Sequence, residues 1–176
     1  MNFDGSRRVL ALDLGKETGW AWTDDHEAHV EQSGTWNLHS AMDSKDDPHA
    51  RVSRLITWIT KINPDDIVYE RVTQKHLGTK AAEWYGRYSE AIETLCDERH
   101  IACFSFSVEE IKEHAIGNRK GAKMHSHYAA IKKWGDRVQV DHQSDALWIL
   151  DLYKRTQRSV DAEQDEKRRD RATEPG

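Results

Sequence analysis

The stretch VLALDL, from Val9 to Leu14, constrains this chain more than any other. Val9, Leu10, Ala11, Leu12 and Leu14 leave no polar side, the pattern of a strand covered on both faces. Asp13 is the single carboxylate set into it. An unpaired charge buried there costs several kcal/mol, on the order of what a partner or a metal must return. The rest of the chain has to supply that partner.

The pattern around this strand, which spans about 8–14, gives an order of elements. ETGWAWTD and HVEQSGTWNL read as two more strands, with turns at Gly15 and Asp24-Asp25. Residues 37–50 are polar and contain Pro48, a loop. ARVSRLITWITKI places Val52, Leu55, Ile56 and Ile59 on one helical face. Asn63-Pro64-Asp65 closes that helix, and DIVYE follows as a short buried strand. Trp84, Tyr88, Ile92 and Leu95 recur at helical spacing over 79–99. IACFSFS is the last strand, and Ser107 is the N-cap of a short helix with Glu109 and Glu110 in its first turn. Helices over 122–134, ending at Gly135, and over 142–157 complete the folded part. Closely spaced strands make an antiparallel meander, whereas strands that return through helices pair in parallel. The expected fold is a mixed α/β sheet flanked by helices.

At 176 residues the chain is long enough for a full core, and one domain over 1–158 accounts for the pattern. Residues 159–176 are charged and almost free of large apolar side chains, which reads as a disordered tail. No run of about 18 apolar residues is present to span a membrane, and MNFDGSRRV has no signal-peptide pattern. Cys96 and Cys103 lack metal-ligand spacing, so the expectation is a reduced, cytoplasmic protein. A net charge of −5 speaks against indiscriminate nucleic-acid binding. Residues 71–137 nevertheless carry 12 basic against 9 acidic side chains. Ordinary charge scatter explains that bias equally well.

Asp13 gains candidate partners at two places. Glu70 ends DIVYE, and strand C-terminal ends are where open parallel sheets gather ligands. His142 and Asp145 stand at i and i+3 in VDHQSDALWIL, on one face of the last helix. Each has a plainer role as well: Asp13 as a turn residue, Glu70 as a partner of Arg71, Asp145 as a solvated helix position. Asp141 reads as the N-cap of that helix, outside any metal shell. His26, His29, His125 and His127 lack the cysteine or carboxylate that would complete a zinc set, and read as surface. Together, the carboxylates and one imidazole would make a hard-oxygen site suited to Mg²⁺ or Mn²⁺. Two such ions about 3.5–4 Å apart stabilise the attacking water and the leaving oxygen of a phosphodiester.

LALDLGKETGWAW, VYERV, VEEIKEHAIGNRKGAKMHSH and DHQSDALWILD occur in that order. Together, over about 8–155, they resemble the first strand, second acidic strand, basic stretch and closing helix of the RuvC-like Holliday-junction resolvases. These belong to the RNase H-like superfamily, and the resemblance is especially to its compact phage forms. The resemblance implies a three-strand antiparallel meander plus two parallel strands. It implies a crossover junction endodeoxyribonuclease that cuts branched DNA, four-way junctions above all, in recombination and repair. Two Mg²⁺ ions, or Mn²⁺ in their place, would serve it, with no organic cofactor. Asp13, Glu70, His142 and Asp145 become the catalytic metal ligands, and Lys112 and Lys123 catalytic lysines near the scissile phosphate. Asn118, Arg119 and Lys120, with Thr73, Lys75 and His76, become DNA contacts. The resemblance also implies the cytoplasm of a bacterium or of a phage host. A homodimer suits two symmetric nicks, with Trp84, Tyr85 and Tyr88 of the 79–99 helix at its interface. Two departures stand out: GNRKGAK carries Arg119 and a shifted spacing, and RVTQKH lacks the ring that bacterial members place after the second acid.

Three rival readings remain. LDLGKETGW is similar to the first phosphate loop of sugar kinases and actin-like ATPases, but those need a second domain with its own loop. A junction-binding protein without cleavage predicts an incomplete acid set, whereas every matched position carries a ligating side chain. A nuclease for other branched DNA or for RNA–DNA hybrids would use the same site.

Overall fold

Alternation along the first strand sorts the core into two halves. The computed structural model describes residues 7–23, 31–39, 47–72 and 78–173. In it, β1 spans Val9–Asp13. Val9 and Ala11 face one side, Leu10 and Leu12 the other, and all four are buried. β2 (Glu17–Thr23) pairs antiparallel with β1, and β3 (Glu31–Asn37) with β2. The chain crosses through α1 (Pro48–Ile62) to β4 (Asp66–Arg71), parallel to β1. It crosses again through α2 (Thr79–Arg99) to β5 (Ala102–Ser107), parallel to β4. The sheet order is β3-β2-β1-β4-β5, the expected meander plus two parallel strands. Helices α3 (Val108–Ile116), α4 (Lys123–Trp134) and α5 (Asp141–Thr173) follow.

Helices α1 and α2 cover one face, where Leu10, Leu12 and Ile67 pack with Leu55, Ile59 and Ile92. The last three helices cover the other, where Val9, Ala11, Ala21 and Val68 meet Ala146, Trp148, Ile149 and Leu150. Small residues set the spacing on this second face. Ala11 and Ala21 are opposite one another beneath α5. A Cβ on Gly19 would lie 1.9 Å from the His142 carbonyl oxygen, so only glycine lets the first turn of α5 rest on β2.

Ser107 caps α3 through a reciprocal box with Glu110, as its spacing predicts. Pro48, expected in a loop, sits instead in the first turn of α1, behind the Asp47 cap. The larger departure is α5. Expected to end near 157 and to give way to a disordered tail, it continues unbroken to Thr173. Residues 161–173 are mostly Ala, Glu, Gln, Lys, Arg and Asp, and the good helix formers among them favour continuing the helix. The Asp24-Asp25 turn, His26, His29, Thr73, Lys75 and His76 lie outside the described residues. Among the described residues, no helix is long and apolar enough to cross a membrane.

Candidate active site

Strand register brings the acids together. β1 and β4 run parallel with Leu12 opposite Tyr69, so Asp13 and Glu70 follow at neighbouring strand ends. Asp13 shares a side with Ala11 and Glu70 shares one with Val68, and both sides are covered by α5. Gly19, opposite Asp13 on β2, admits the start of that helix. His142 and Asp145 therefore meet the strand ends. The His142 Nδ1 lies 2.8 Å from Asp13 Oδ2. Lys123, the first residue of α4, places its Nζ 3.0 Å from Asp145 Oδ2 and 3.1 Å from Asp141 Oδ2.

Acids outnumber cations in this cluster. Burial, then repulsion from Asp13 and Asp145, pushes the Glu70 carboxyl up to about 8, while Lys123 and Lys112 hold it back. Burial and Asp13 carry Asp145 to about 6 against the pull of Lys123. The bond to Asp13 outweighs burial and raises the His142 imidazole, favouring its protonated form. Burial pulls the Lys123 ammonium down, but Asp145, Asp141 and Asp13 outweigh it and leave its pKa above the ordinary lysine value.

The four expected ligands are thus brought together, and Lys123 joins them directly. Lys112 is half-buried on α3 and its charge reaches Glu70. Asn118, Arg119 and Lys120 form an exposed turn between α3 and α4. Its Asn118 Oδ1 accepts from the Lys120 N–H at 3.0 Å, and Arg119 Nε lies 3.6 Å from Glu113 Oε2.

Three residues of the cluster were missed or misplaced by sequence reasoning. Asp141 is not the cap: the Ser144 N–H donates to the Val140 carbonyl at 3.2 Å, which puts Asp141 inside the helix. Its carboxylate belongs with Lys123, and its exposed place in the first turn suits the helix dipole. Gly19 left one signal, a glycine inside a strand, the usual mark of a close backbone approach. Tyr85 left none; its hydroxyl donates to the Glu70 carbonyl at 2.7 Å and accepts from the Val72 N–H at 3.2 Å, pinning the end of β4. Tyr88, expected at a subunit interface, is only 1% exposed and lies in the core beneath α2.

Among the described residues, no three His, Cys, Asp or Glu side chains already form a cage for an ion. Asp13 faces His142 and Asp145 faces Lys123 instead. The donor chemistry still fits a hard cation: Asp13, Glu70 and Asp145 supply carboxylate oxygens, and two of them are held above their ordinary range by burial and repulsion.

Solved structures share this fold. Thermus thermophilus RuvC superposes with a TM-score of 0.61 at 16% identity, covering 85% of this chain and 96% of that one. T. thermophilus RuvC in complex with a Holliday junction substrate gives 0.61 at 16%, covering 82% and 90%. The yeast mitochondrial Holliday junction resolvase Ydc2 gives 0.61 at 19%, covering 90% and 84%. No family model matches the sequence, and no curated protein sequence matches it.

Proposed function

We propose, from the premise that the chain carries the RuvC-like form of the RNase H-like sheet, that it is a metal-dependent endonuclease for branched DNA, four-way junctions above all. The observation that supports this best is the convergence of Asp13, Glu70 and Asp145, from three separate elements, at neighbouring parallel strand ends. Asp13, Glu70, Asp145 and His142 would hold two Mg²⁺ ions, or Mn²⁺, which when bound activate water and neutralise the leaving oxygen of a phosphodiester.

The chain's own groups do the rest. Glu70 and Asp145 hold protons that a cation must displace, so loading weakens as pH falls. Asp13 orients the His142 ring through Nδ1. Lys123 stands where negative charge gathers, and its ammonium can transfer from Asp145 to a phosphoryl oxygen as charge develops there. Lys112 adds a second positive charge from α3. The exposed Asn118, Arg119 and Lys120 suit backbone phosphates, which position DNA without reading its bases. Thr73, Lys75 and His76, after β4, are proposed contacts at the branch. Two symmetric nicks need two sites, so the proposed assembly is a homodimer.

The test presents purified protein with a four-way junction, a flap, an RNA–DNA hybrid and a linear duplex, each with Mg²⁺ or Mn²⁺. Paired nicks in the four-way junction are expected with either ion. Binding of the junction with no cleavage of any substrate would overturn the nuclease in favour of a binding protein. Faster cutting of the hybrid or the flap would reassign the substrate.

A further inference from the structure

We infer that the cavity between α2 and the β1–β2 turn takes a single unstacked nucleobase from the DNA strand approaching the carboxylates. The inference rests on the nuclease reading and adds to it a second, separate contact. The cavity has a volume of about 380 Å³. Leu14, Gly15 and Lys16 of its wall directly follow Asp13, and Val72 stands two residues past Glu70. It therefore lies at the same end of the sheet as the acids, on the side covered by α2.

Its lining selects the occupant. The volume falls at the small end of ligand pockets, right for one ring system and too small for a duplex. Tyr85 and Trp84, which itself stacks on Tyr88, line the cavity with aromatic surface that a base can contact. The buried Arg51 guanidinium lies 4.3 Å from the Trp84 ring centre, on the same wall. Lys16 and Lys80 are exposed at the rim, where phosphates flanking an inserted base would pass. The Tyr88 hydroxyl lines the cavity, is buried, and lies beside the Arg51 guanidinium. A base edge can hydrogen-bond to this polar pair, as a purely apolar ligand cannot. Tyr85 ties the cavity to the acids, because its hydroxyl holds the backbone of Glu70 and Val72.

An abasic scan tests this. A single abasic site is walked along one strand of a four-way junction, and the dissociation constant is measured without divalent metal. One position near the cut should weaken binding about tenfold, and the others little. Ala81→Phe, at an exposed rim position of α2, should lose about tenfold on the intact junction and nothing further on that abasic one. Trp84→Ala should behave alike. A flat scan with the wild-type protein overturns the pocket, as does an equal loss by Ala81→Phe on both junctions. Should Ala81→Phe fail to fold, the wild-type scan decides alone. Junction cutting with a flat scan removes only the pocket; failure to bind or cut any branched substrate removes the nuclease reading and the pocket with it.

Discussion

Asp66 and Glu70 stand four residues apart on β4, on the same face of the sheet, in opposite surroundings. Asp66 is fully buried at the start of the strand. One of its oxygens pairs with the Arg7 guanidinium, and the other accepts from the Tyr153 hydroxyl at 2.7 Å. Glu70, at the strand's end, meets two further carboxylates, and among the described residues its side chain has no hydrogen bond or ion pair. A buried acid that the fold supplies with a cation holds the structure together. One that the fold surrounds with more acid carries a charge that the proposed cation would offset.

The contrast breaks first in activity. Asp13→Asn should slow junction cleavage roughly a thousandfold or more while the melting temperature and junction binding stay near wild type. A variant that cuts at full rate removes the site. Stability comes next, measured by urea unfolding. Asp66→Ala should cost about 2 kcal/mol, because it removes the Arg7 ion pair and leaves the buried Tyr153 hydroxyl without its acceptor. Glu70→Gln should move the other way. Folded Glu70 keeps its proton up to about pH 8, but unfolded only to about 4.5. The native chain therefore has stability below pH 4.5 that it loses as pH rises towards 8. Removing the charge should stabilise the metal-free protein at pH 8 by on the order of 2 kcal/mol. A wild-type stability that is flat between pH 5 and 8 would erase the difference between the two acids.

Smaller effects sharpen the same comparison. Gly19→Ala should cost about 1–2 kcal/mol and lower cutting, because its Cβ collides with the His142 backbone. Equal activity at equal stability would show that α5 can shift without disturbing the acids. Lys123→Ala should reduce the cutting rate about tenfold, and by more than it weakens binding. Loss of binding alone, with the salt slope falling by about one unit, would make this lysine a docking contact.

The sheet was readable because its strands carry their periodicity locally. Asp13 stood out as a charge in an apolar run, and Glu70 as the last residue of a second one. His142 and Asp145 followed from i, i+3 spacing on a helix. Gly19 was beyond reach because the atom it must avoid belongs to a residue far along the chain. Tyr88 misled for a different reason: an aromatic stripe on a helix has the same spacing whether it meets the core or a second subunit. Asp141 has the residue type of a cap, but the bond from Ser144 to Val140 starts the helix one residue earlier, a backbone detail that side-chain type does not encode. The end of α5 was missed because apolar periodicity marks where a helix is buried, not where it stops.

That long helix also makes a ruler. It begins with residues of the acidic cluster and runs 33 residues, about 50 Å at 1.5 Å per residue. A dye attached near Thr173 and a second dye on DNA beside the cut would be separated by about that length, a span suited to energy transfer. The same geometry lets a surface tether or fusion be placed at that end, far from the strand ends where DNA is proposed to bind.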